Sequence, residues 1–131
     1  MSEKQIKANV IKVTVGGNPG AYTFSVTVKS PDTGPDQYAD WWEVLSSNGR
    51  LLYRRILLHS HVDEQPFTRS GGPVPIGPRD AVFVRAHMST AGYGGVAFHG
   101  SVAGGFVETE LPSDFAADVE LLEPQPEDCA F

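Results

Sequence analysis

Cysteine is nearly absent from this chain: Cys129 is the single one among 131 residues. No intrachain disulfide can form, and no cysteine-based zinc site can be assembled. Long apolar runs are missing too. No stretch approaches the roughly 18 to 20 residues that span a bilayer as a helix, and Met1-Ser-Glu-Lys-Gln-Ile-Lys7 lacks the apolar centre of a signal peptide. The expectation is a cytoplasmic protein without membrane contact, although a chain trimmed of its leader for export would read the same. Basic residues give out early: all ten Lys and Arg stand at or before Arg85, while eight acids and no base follow in the last 24 residues. The net charge is −6. With no basic cluster larger than Arg54-Arg55, nucleic-acid binding is not expected. Catalytic motifs are lacking as well. There is no Gly-x-Ser-x-Gly elbow, and the Gly-rich stretch 92–105 has no Lys and precedes no helix. Cys129, two residues from the C-terminus, is poorly placed for a precisely held nucleophile. No enzyme activity and no cofactor are expected.

What is present is a β-strand pattern. With 40% hydrophobic and 20% charged residues, the chain can build one ordinary core, read as a single domain over 1–123 with an acidic tail at 124–131. Residues 6–15 alternate, but the apolar phase runs Ile6, Ala8, Val10 and then Ile11, Val13, Val15, the slip that a bulge produces. After the turn 16–20, Tyr22, Phe24, Val26 and Val28 alternate with Thr23, Ser25, Thr27 and Lys29. The Asn48-Gly49 pair joins 38–46 to 51–61 as a hairpin. Residues 65–69 read as a short edge strand, 71–78 as a Gly/Pro loop, and 81–88 and 96–102 as further strands. The end adds strands at 106–111 and 118–122, with a helical turn at 113–117 capped by Ser113. Strand spacing and alternation predict an all-β chain: an antiparallel β-sandwich of seven to nine strands.

The run Arg85-Ala-His-Met-Ser-Thr-Ala-Gly-Tyr-Gly94 resembles the end of strand F and the F–G turn of fibronectin type III domains, and the order of elements over residues 6–103 agrees. The resemblance implies a fibronectin type III-like or immunoglobulin-like sandwich that acts by binding. The chain departs from that family where Val26-Thr27-Val28 stands in place of a late strand-B tryptophan, and where Asp80 stands near the position of a tyrosine.

The most suggestive chemical element is His59-Ser60-His61. On a strand, residues i and i+2 share a face and lie roughly 6.5 to 7 Å apart, within reach of one metal ion. A third ligand would come from Asp63, Glu64, His87 or His99. His59-Ser60-His61 with Glu64 and Gly71 is also similar to the first cupin motif, which implies a divalent transition metal such as zinc held by His59, His61, Glu64 and His87. The chain departs from that motif in its His-to-Glu gap, one residue short, and in the polar run after Glu64. The alternative is that the two imidazoles hydrogen-bond nearby groups and hold the following loop.

Aromatic residues supply the other candidates. Trp41 and Trp42 are adjacent, so on a strand they face opposite ways and one is left for a ligand, a protein partner or a cover. Tyr53 and Tyr93 are its candidate companions, with Asp63 and Arg69 at the histidine end of the sandwich. The expected function is a non-catalytic interaction or accessory domain, binding a protein partner or itself. A metal-binding β protein centred on His59 and His61 is the alternative.

Overall fold

The structure is a computed structural model that describes residues 7–112 and 114–127. Eight antiparallel strands form two sheets. They are β1 (Asn9–Asn18), β2 (Ala21–Lys29), β3 (Ala39–Ser46), β4 (Leu51–Ile56), β5 (Phe67–Val74), β6 (Val82–Met88), β7 (Val96–Ser101) and β8 (Gly105–Glu110). One sheet has the order β1-β2-β5 and the other β4-β3-β6-β7-β8. The two pack face to face as a β-sandwich, as the alternation requires.

The core lies between the sheets because each strand sends its apolar phase inward. Tyr22, Phe24, Val26 and Val28 of β2 meet Trp42 and Val44 of β3 and Val82, Val84, Ala86 and Met88 of β6, all buried. Each such side chain contributes about 1.5–3 kcal/mol relative to exposure. The phase slip in β1 is real: register shifts between Val10 and Lys12, leaving Ile11 as the extra residue, 40% exposed. Its strand begins at Asn9, and Ile6 lies outside the described residues.

Three local expectations are corrected. First, β5 is eight residues long and includes Gly71, Gly72 and Pro73, which read as loop. As the edge strand of its sheet it tolerates a proline. Its register against β2 shifts between Tyr22 and Phe24, where Gly72 lies so close that a Cβ would sit 2.5 Å from the Tyr22 carbonyl oxygen. Second, β4 stops at Ile56; the Leu57 N–H still donates to the Asp40 carbonyl in register with β3, and beyond it the chain leaves the sheet as the His61 N–H turns to the Asp32 carboxylate. Third, residues 118–122 are not a strand. Ala117–Leu121 form a 3-10 helix lying over the outer face of the five-stranded sheet, and the cap expected at Ser113 lies outside the described residues. Gln125 ties the following segment back by donating to the Glu120 and Leu122 carbonyls. No helix among the described residues is long and apolar enough to cross a membrane.

Candidate functional site

Because β4 ends at Ile56, His59 and His61 lie in the loop 57–66 at one end of the sandwich, not on a strand. Their rings still meet, with centroids 4.5 Å apart. The loop is held from within by two side chains that come from elsewhere. Asp32, itself buried, accepts the His61 N–H on Oδ2 (2.8 Å) and the Ala39 N–H and Ser30 hydroxyl on Oδ1 (3.0 and 2.7 Å). Gln65 donates to the His61 carbonyl at 2.8 Å and accepts the Ser30 N–H at 2.9 Å. A buried carboxylate receiving three donors is a strong, oriented anchor.

His61 is stacked on Phe67, with centroids 3.8 Å apart and planes 8° from parallel, and it is only 4% exposed. Arg69 Nη2 donates to its Nε2 at 2.9 Å, so that nitrogen is the acceptor and the ring proton sits on Nδ1. Burial, then the neighbouring Arg69 guanidinium, push the His61 pKa below its ordinary value. The same Arg69 nitrogen pairs with Glu64 at 3.0 Å, a carboxylate 60% exposed. Outside this framework the loop presents Leu58 and Val62, 65% and 50% exposed, with Asp63 and Glu64. His59 to Glu64 and Gly34 line an open depression of about 450 Å³.

The proposed metal set is not assembled here. His59 and His61 are together, Glu64 is joined to them only through Arg69, and His61 Nε2 is occupied by a guanidinium. His87 is engaged elsewhere, its Nδ1 2.6 Å from Asp40 Oδ1 and its Nε2 2.5 Å from Glu120 Oε2. His99 stacks on Phe83. Among the described residues no group of three or more His, Cys, Asp and Glu is arranged to hold a metal ion.

The aromatic candidates are also buried. Trp42 belongs to the core, and Trp41 on the opposite face is 2% exposed, so no indole forms an open platform. Trp41 stacks on His87 at 3.8 Å and carries the Arg54 guanidinium 4.1 Å above its ring. Tyr53 packs beside Trp42 and is half-buried. Tyr93 is buried beneath Arg85, and burial followed by the Glu43 carboxylate raises its phenol pKa well above the ordinary value.

What covers Trp41 is an ionic network absent from the sequence reading. Glu43, fully buried, takes Arg54 on one oxygen (Nε at 2.9 Å, Nη2 at 2.8 Å) and Arg85 Nε on the other at 2.8 Å. The remaining guanidinium N–H groups donate to the C-terminal segment. Arg54 reaches the carbonyls of Val119, Leu122 and Pro124, and Arg85 those of Phe115 and Ala116. A signal for this was present: the Asn48-Gly49 hairpin places Glu43 directly opposite Arg54, each in the middle of a mainly apolar strand.

No family model matches this chain, and no solved structure matches it. A protein of Halomicrobium mukohataei that carries the provisional name of lipoprotein is 50% identical over 93 residues, 70% of this chain and 45% of that protein. The chain therefore spans a little under half the length of this relative.

Proposed function

We propose that this chain is a non-catalytic interaction domain of fibronectin type III-like or immunoglobulin-like build, and that it meets its partner through loop 57–66. The kind of sandwich is supported by the facing orders β1-β2-β5 and β4-β3-β6-β7, and by Trp42 buried in β3, the third strand, where immunoglobulin domains carry a core tryptophan. The Ala91–Gly94 turn between β6 and β7 adds to this, and β8 is an extra edge strand.

One observation carries the functional reading. Loop 57–66 is anchored from below by buried Asp32 and by Gln65 while it presents Leu58 and Val62 to solvent. Apolar side chains on a pre-ordered loop lose little conformational entropy on binding, which is how rigid scaffolds make affinity. A metal centre fits less well, since the Arg69 guanidinium at His61 Nε2 repels a cation where it would have to bind. The name of the relative favours a setting outside the cytoplasmic membrane over the cytoplasmic one suggested by the N-terminal residues. Cell fractionation of the full-length protein separates the two.

The reading is tested by placing a photo-crosslinking residue at Val62 and, as a control, at exposed Thr14 on β1, in the native host. A discrete adduct from Val62 and none from Thr14 is expected. Equal backgrounds from both positions would sink the proposal. Metal analysis of protein purified without an affinity tag decides against the zinc alternative if no stoichiometric metal is found.

A further inference from the structure

On the side of loop 57–66 that faces β4 and β5 there is a second, smaller cleft of about 70 Å³, lined by Arg55, Leu57, Leu58, His59, His61 and Arg69. Its six lining residues include two arginines, two histidines and no acid, in a chain whose net charge is −6. We propose that this cleft is an anion site that takes one phosphate-type tetrahedral oxyanion between the Arg55 and Arg69 guanidiniums, with the two imidazoles at its wall. The inference deepens the reading above by naming a ligand class for the same loop, and it rests on that reading only for its biological setting.

Three observations support it. The guanidiniums are braced as binding groups. Arg55 Nε donates to the Ser70 carbonyl at 2.8 Å and Nη1 to the Ile56 carbonyl at 2.5 Å, so β4 is tied to β5 and Nη2 has no acceptor among the described residues. Arg69 is fixed through Nη1 to the Thr68 carbonyl at 2.7 Å and through Nη2 to His61, and its Nε has no acceptor among the described residues. Planar forks held this way suit the paired oxygens of an oxyanion.

The two guanidiniums supply the positive charge such a ligand needs. Burial first, then the charges of Arg69 and His59, disfavour a proton on His61, against the opposing pull of Asp32 and Glu64. Among the described residues the one carboxylate on Arg69 is Glu64, which is 60% exposed, makes a single 3.0 Å contact and can swing away. Size sets the ligand class. A volume of about 70 Å³ admits a phosphate-sized group and is too small to enclose a nucleoside or sugar ring.

The test titrates the whole chain with sodium phosphate at constant ionic strength, with chloride as control, read by calorimetry and by the imidazole resonances. Saturable heat is expected, with His59 and His61 moving together and His99 still. R55Q and R69Q should each weaken binding by about tenfold or more. E64Q, a surface change that cannot endanger folding, should tighten it by about two- to fivefold by removing the competing carboxylate. No response beyond chloride, or binding unchanged in both arginine variants, overturns the proposal.

A second arm uses phosphatidylglycerol vesicles. Co-sedimentation abolished by phosphate makes the anion a lipid headgroup, and no co-sedimentation makes it a free phosphate; both support the site. Co-sedimentation that phosphate and R69Q leave unchanged counts against it. Failure here with a discrete Val62 adduct removes the anion site and leaves the docking loop standing. Phosphate binding without an adduct does the reverse.

Discussion

Removing Glu43 is the perturbation whose size follows most directly from the geometry. Its carboxylate is fully buried and is the shared counter-ion of two buried guanidiniums, at 2.8 Å to each. Glu43→Ala leaves Arg54 and Arg85 facing each other without an anion, across a sheet face sealed by residues 115–124. Breaking a buried pair from one side costs about 3–5 kcal/mol, since the orphaned charge keeps its desolvation penalty. Against a total stability of about 5–15 kcal/mol this is a large fraction, and for a chain of this length it lowers Tm by about 10–20 °C. The control is the triple variant Glu43→Leu, Arg54→Met, Arg85→Met, which removes every charge together. It should lose less than the single variant, because no unpaired buried ion remains. Urea denaturation followed by tryptophan fluorescence reads both, given Trp41 beneath Arg54. A single-variant cost under about 1 kcal/mol, or a triple variant worse than the single, would refute the reasoning.

Other expectations follow from the same framework. Asp32→Ala strands the buried His61 and Ala39 N–H groups and should cost about 2–4 kcal/mol in urea, with faster amide exchange confined to 57–66 and its 30–39 partners. His61 sets a pH dependence. Its native pKa lies below the unfolded value near 6.5, so the unfolded chain holds more protons between the two, and stability rises with pH through that window. Unfolding free energy should therefore fall as pH drops below about 6.5, and His61→Gln should flatten the slope; an equal slope in the variant contradicts this. Gly72→Ala should cost about 1–3 kcal/mol, since its Cβ would lie 2.5 Å from the Tyr22 carbonyl oxygen, and a neutral result in thermal melts would show that β5 can move aside.

Much of the sandwich was legible because period-two patterning is a local property. The slip at Val10/Ile11 and the Tyr22–Val28 face needed only neighbours in the chain to be read. The errors came where distant side chains override local preference. Leu51 to His61 continues to look like a strand, but Asp32 and Gln65 recruit the residues after Leu57 into a loop. Val119 and Leu121 alternate like a strand, yet the segment finds Arg54 and Arg85 donors instead of a ladder and folds as a 3-10 helix. Gly71-Gly72-Pro73 reads as loop on composition and is strand because an edge accepts it.

The candidate site was legible in place but not in chemistry. Its loop follows from His59-Ser60-His61, whereas the Arg69 donor that occupies His61 and the Arg55 brace depend on β4 and β5 lying side by side. The tryptophan pair shows the same limit. Adjacency places the two indoles on opposite faces, but only the return of residues 115–124 reveals that the outer one is sealed beneath Arg54.

Amide hydrogen exchange on the unmodified chain tests the central claim, a pre-ordered loop that presents its tip. The His61 N–H should be protected to nearly the same degree as the β3 and β6 ladder, while Val62, Asp63 and Glu64 exchange freely. Fast exchange at His61, with the ladders intact, would mean that the loop is not held, and the account of it as a rigid binding surface would be wrong.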